Sequence, residues 1–362
     1  QQHRRALTIR QKGVSNVLVL RVNALDASTT ADSATLSRRW FGGWDDMVNL
    51  KSQMAACSYG NLAFNAATGD GIVDGVAEIF IDTTVAGKSN GEVENLVTNA
   101  AATVVGDLSI YDHVAYCLPL GTTTTGWLAY GYFNFYRTVY NDAWCGYVSV
   151  QMHEIGHNVN LMHSGQETGE YDDQSGMMGY SYGSSETPVM CFNAAKNNEL
   201  GWYDDRKLVI DPLGTSEPSS VLLMGLADYA LSTADFTVVL RIEMVSASTD
   251  LYLAYNRKAG INSGTIEFGD QVTIVEAGEP GARSTSYIQM ALSEGDEHRI
   301  PNFEASGSDL VVKFCELFDK PAPYAELSVH VDDGVQESTC GLAYSPRPTI
   351  SFAPSMEPTT SL

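Results

Sequence analysis

Residues 153–163 read HEIGHNVNLMH, and no other stretch constrains the fold of this chain as tightly. His153 and His157 are four apart, so on a helix their imidazoles stand one turn apart on one face. Both can then reach a single ion at about 2.0 Å, while the intervening Glu154 can address a water beside it. His163 lies six residues beyond His157, further than a straight helix can serve, so the chain has to turn sharply; the turn falls at Asn160. Val148, Met152, Ile155 and Val159 supply an apolar flank for the required helix. The helical spacing puts His153 and His157 on one ion, with His163 as the candidate third ligand and Glu199 in Asn197-Asn198-Glu199-Leu200 as its rival. Zinc is the expected ion, and copper also suits imidazole.

Three neutral imidazoles leave a coordination position open, and zinc held in that way lowers the pKa of bound water toward about 7. Glu154 is then the general base, taking the water's proton and returning it to a leaving amine. Residues 126–140 (GWLAYGYFNFYRTVY) are aromatic and strand-prone, and lie just before the histidines. As a sheet edge beside the cleft they would pair with an extended protein or peptide substrate, which favours an endopeptidase. The alternative is a catalytically silent cell-wall or matrix binding protein with a structural metal site. Such a site closes its fourth position with protein, and no fourth ligand is evident near His163. A zinc hydrolase acting on non-peptide bonds is a third reading, for which no sugar or phosphate motif is present.

Residues 17–22 (VLVLRV) read as a buried strand, 35–41 and 47–56 as helices, 76–81 as a strand, 91–105 as an amphipathic helix and 113–118 as a central strand. After Trp202 the texture changes to Pro, Gly and Ser punctuation around seven short strands, at 220–226, 236–244, 251–255, 271–275, 287–292, 310–314 and 325–331, which suggests a β-sandwich. The expected architecture is an α/β catalytic domain over residues 1–211, with a mixed twisted sheet and an active-site helix. An all-β sandwich domain follows over 212–344, and a Pro/Ser/Thr-rich tail or linker over 345–362. Asp70 to Gly75 hints at calcium but lacks the ligands of a known loop, so a turn explains it better. His298 and His330 stand alone and are assigned nothing.

The chain's 44 Asp and Glu outnumber its 21 Lys and Arg for a net charge of -23, which argues against nucleic acid and against membranes; a monomer is expected. No apolar run reaches the length of a membrane span, and residues 1–10 lack a signal-peptide core, as a mature or trimmed form would. The pair Arg4-Arg5 could be the remnant of a processing site. Six cysteines with no CxxC pair favour disulfides in an oxidising, extracellular compartment, with buried free thiols as the alternative. Cys315 is expected to pair with Cys340, and Cys145 with Cys191 across the histidine segment.

Downstream, Tyr171-Asp172-Asp173-Gln174-Ser175-Gly176-Met177-Met178-Gly179-Tyr180 resembles the methionine-containing turn under the zinc site of metzincins. Met178 is the choice for the turn methionine and Met177 its near competitor. Tyr180 matches the position from which some metzincins supply a tyrosine hydroxyl near the metal. With HEIGHNVNLMHS, Cys57-Ser58-Tyr59-Gly60-Asn61-Leu62, and Cys191-Phe192-Asn193-Ala194-Ala195-Lys196 to Gly201-Trp202-Tyr203, the chain resembles the gametolysin family. These are secreted metzincins that degrade algal cell-wall proteins. The resemblance covers residues 17–203 well and 255–262 more loosely, and implies a secreted zinc metalloendopeptidase. Family members may carry Gln in place of the first histidine, whereas residue 153 is His. Most metzincins place Gly where this chain has Asn160, because the turn needs a left-handed backbone; Asn tolerates it best after Gly.

Overall fold

The computed structural model describes residues 11–43, 47–183, 186–214, 218–332, 334 and 340–341. Arg4, Arg5 and the 345–362 tail lie outside them.

The first half runs β1 (Gly13–Asn23), α1 (Ser33–Phe41), α2 (Leu50–Cys57), β2 (Leu62–Ala66), β3 (Ile72–Val73), β4 (Val76–Phe80), α3 (Asn90–Val104), β5 (His113–Leu118), β6 (Ala129–Gly131), β7 (Arg137–Asn141) and α4 (Val148–Asn158). Its strands form one sheet in the order β3-β4-β1-β5-β7-β6, with β2 also on β1. Val17, Leu18, Val19, Leu20 and Val22 are fully buried, because helices cover both faces of a central strand; this is why β1 shows no polar alternation. Beginning α3, Ser89 and Glu92 form a reciprocal capping box. The 70–75 stretch is the β3–β4 turn, with Asp74 and Gly75 at positive φ.

The aromatic segment folds into a hairpin, β6 antiparallel to β7, which leaves β6 as the edge strand of the sheet. Glu94 of α3 pins this hairpin, accepting from Tyr130 Oη at 2.7 Å, Tyr132 Oη at 3.1 Å and Arg137 Nη1 at 2.5 Å.

The second half continues with β8 (Ser164–Gln166), α5 (Ala194–Leu200), β9 (Lys207–Ile210), β10 (Ser219–Met224), β11 (Val239–Ile242), β12 (Thr249–Tyr255), β13 (Val272–Gly278), β14 (Ser286–Leu292), β15 (Glu297–Ile300), β16 (Asp309–Phe318) and β17 (Tyr324–Asp332). The strands build two sheets, β8-β14-β13-β12-β11-β9 and β10-β17-β16-β15. One apolar cluster takes Leu240, Ile242, Leu253 and Ile274 from the first and Val221, Leu223, Val312, Phe314 and Leu327 from the second. Each of the seven expected strands is present. β8, β9 and β15 are additional, and too short to stand out by pattern. The outcome is a mixed α/β structure with three sheets and few helices among the described residues.

Three disulfides join Cys57 to Cys191, Cys117 to Cys145 and Cys315 to Cys340. The Cys315–Cys340 expectation holds and the Cys145–Cys191 expectation is overturned. Cys145 follows β7 directly, and β7 lies beside β5, which places Cys117 with a Cα–Cα distance of 5.5 Å. Cys191 instead meets the end of α2. Among the described residues no helix is long and apolar enough to cross a membrane.

Candidate metal centre

Helix α4 carries the HExxH residues, and all eleven of its residues are buried. It ends where the ligand spacing requires. Leu161 N–H donates to Gly156 O and Asn160 N–H to His157 O, both at 2.9 Å, closing a Schellman motif around Asn160 at φ 79°. The left-handed residue is Asn, as expected, and the chain reverses there to return His163 to the helix.

His153, His157 and His163 each offer a nitrogen, the three lying within 4.8 Å of one another, the one such group of three among the described residues. Their other nitrogens are engaged. His153 Nδ1 donates to Met177 O at 2.8 Å, His157 Nδ1 to Leu161 O at 2.8 Å and His163 Nδ1 to Glu170 Oε1 at 2.5 Å. Those bonds hold each ring in the Nδ1–H tautomer and leave Nε2 as an electron-pair donor. Nε2 of His157 and of His163 are 3.1 Å apart, an arrangement of two lone pairs that a cation relieves. The donor set therefore fits a divalent metal that favours imidazole. Burial holds the His153 imidazole well below its ordinary range and brings His157 down to about 4, so both are neutral, as ligands must be. Glu199 pairs with Lys196 at 3.2 Å instead.

Glu154 is 3% exposed. Burial pushes its carboxyl up to about 8, opposed by a hydrogen bond from the Gly131 backbone. A cation on the neighbouring histidines would pull it down again. The edge strand lies against this helix without room for a side chain: a Cβ at Gly131 would stand 3.1 Å from the His157 Cβ and would collide with the Glu154 carbonyl. Asn158 fastens the two, donating from Nδ2 to Tyr132 O at 3.1 Å and Arg137 O at 3.0 Å.

Met178 lies beneath the helix with its sulfur against Gly156, while Met177 contributes its carbonyl to His153. Tyr180 is 55% exposed, and its ring meets Tyr182 at 4.9 Å. The tyrosines that reach the histidines are Tyr182, 5.2 Å from His153, and Tyr171, 4.1 Å from His163. Sequence reasoning singled out neither, nor Glu170 or Asn158.

A buried network supports the third histidine. Asp173 accepts from Ser164 Oγ at 2.5 Å and Asn193 Nδ2 at 2.9 Å, and Ser164 Oγ meets Ser286 Oγ of β14 at 2.8 Å. Ser286 N–H donates to His163 O at 3.1 Å. Both halves of the chain thus hold His163.

No curated protein and no solved structure matches the chain. The family model of gametolysin peptidase M11 matches residues 15–239, a span that includes the histidine cluster, Glu154 and Met178. More than half of the chain is matched, and the chain belongs to the gametolysin peptidase M11 family of metallopeptidases.

Proposed function

We propose that this chain is a secreted zinc-dependent endopeptidase of metzincin architecture, cutting extracellular, cell-wall or matrix proteins. The catalytic unit is residues 1–211, followed by a β-sandwich over 212–344, to whose six-stranded sheet the first unit lends β8 and β9. Residues 345–362 are a tail or linker. The observation that carries the reading is the convergence of three Nε2 atoms, each ring fixed through Nδ1, next to a buried carboxyl. Three disulfides suit an oxidising, extracellular setting. The acidic charge argues for a monomer that binds neither nucleic acid nor membrane.

His153, His157 and His163 would hold the zinc, which supplies Lewis acidity toward a carbonyl and makes water more acidic. Glu154 takes the proton of the attacking water and hands it to the departing amine. A carboxyl held in a buried site suits a group that must both accept and release a proton near neutrality. The substrate backbone pairs with the edge strand β6, which brings the scissile bond alongside α4. Met178 is the turn methionine, a soft apolar floor under the helix. The oxyanion contact belongs to the Tyr180–Tyr182 pair, with Tyr182 the nearer to the histidines.

The test is cleavage of casein by the purified chain, with chelation, zinc restoration and Glu154→Gln in parallel. Cleavage that vanishes with chelator, returns with zinc and is absent in the variant supports the reading. Stoichiometric zinc binding without cleavage would favour the silent binding protein.

A further inference from the structure

The loop joining β13 to β14 reaches the metal centre from the far half of the chain. Its Arg283 guanidinium lies over the Phe133 ring, 4.7 Å from the centroid, and Phe133 in turn meets the His157 ring edge-on at 4.7 Å. Phe133 follows directly on the edge strand, in the segment whose Asn134 N–H donates to His157 O. Arg283 therefore stands where a peptide running along that edge would pass the metal.

Two observations bear on this arginine. Arg21, Arg137, Arg241, Arg257 and Arg299 each hold a carboxylate, whereas Arg283 is exposed and makes no ion pair among the described residues. The chain carries a net -23, a field that disfavours an acidic side chain unless a local cation receives it. Secondly, the loop is clamped. Buried Lys196 donates from Nζ to Ser284 O at 2.9 Å, Ser284 Oγ accepts from Gly278 N–H at 2.8 Å, and Ser286 is bonded to His163 and Ser164. The aromatic face fixes a planar cation whose N–H fork matches a carboxylate.

We propose that Arg283 is a specificity-determining residue that receives an Asp or Glu side chain of the substrate at the subsite flanking His157, with Phe133 as its apolar floor. This rests on the endopeptidase reading. Fluorogenic peptides differing only by Glu, Gln or Lys at each position around the scissile bond test it, on zinc-loaded wild type, Arg283→Gln, Arg283→Lys and Arg283→Glu. At one position wild type should favour Glu over Lys by about five-fold in kcat/KM, as an exposed ion pair allows. Arg283→Lys should keep the preference, Arg283→Gln should erase it and Arg283→Glu should invert it, while zinc content and thermal midpoint stay unchanged. An identical Glu-to-Lys ratio in all four proteins overturns the assignment, as does an equal loss on every peptide. Absence of cleavage of any peptide by the zinc-loaded wild type would instead remove the endopeptidase reading beneath it.

Discussion

Met178 packs against Gly156 so closely that a methyl group at residue 156 would stand 2.5 Å from the methionine sulfur and 3.2 Å from its terminal carbon. Gly156 separates the two helical histidines from the turn below, so Gly156→Ala has to displace either the methionine or the helix. We expect a loss of about 1–3 kcal/mol by overpacking and weaker metal binding, whereas Met178→Leu should cost less than about 1.5 kcal/mol. Urea unfolding and chelator competition check both; a fully stable Gly156→Ala would show that this contact is loose.

Glu170 is the acceptor that orients His163. Replacing it by Gln leaves a weaker acceptor for Nδ1–H, and metal affinity should fall about ten-fold with little change in unfolding free energy. Cobalt titration followed by absorbance reads this directly. Equal affinities would mean that the backbone alone orients the ring.

If the three histidines bind zinc in the folded chain only, zinc at about one hundred times its dissociation constant should add about 2.7 kcal/mol to stability. His157→Ala should abolish the gain. A midpoint indifferent to zinc would contradict a shared site.

Tyr182→Phe and Tyr180→Phe divide the proposed oxyanion role. Because Tyr182 has its ring on His153 and Tyr180 is largely exposed, the first should lower kcat about ten-fold or more and the second by less. The reverse order in steady-state kinetics would return the role to Tyr180.

His113 is fully buried and donates from Nδ1 to Asn158 Oδ1 at 3.1 Å. Burial holds its imidazole below the ordinary value of 6.5, against smaller pulls from Asn158 and Asp112. The unfolded chain therefore takes up a proton more readily than the folded one. The contribution of His113 to stability is complete above pH 6.5 and declines as pH falls from there toward the folded-state value. Urea midpoints of the wild type should drop more steeply from pH 7 to about pH 5 than those of His113→Gln. Parallel curves would exclude His113 as a source of acid lability.

The histidine cluster was legible because its spacing is periodic. His153 and His157 share a helix face, and the position of His163 forces the turn that Asn160 makes at positive φ. The seven later strands were legible from alternation and punctuation. What stayed hidden depends on tertiary contact: Glu170 and Tyr171 reach His163 through a loop without periodicity, and it is Tyr182 rather than Tyr180 whose ring meets His153 because of how the chain runs after Met178. The pairing of Cys117 with Cys145 follows from β5 lying beside β7, a neighbour relation that cysteine spacing does not encode.

The clasp between Ser164 and Ser286 spans 122 residues. On the ribosome, at about 5–20 residues per second, roughly 6–24 s would separate the appearance of these two serines. Throughout that interval the third histidine lacks its distant support. Synthesis order thereby sets an order of assembly: the histidine cluster gains this support only once β13 has been made and β14 has begun, while β15, β16 and β17 are still to come.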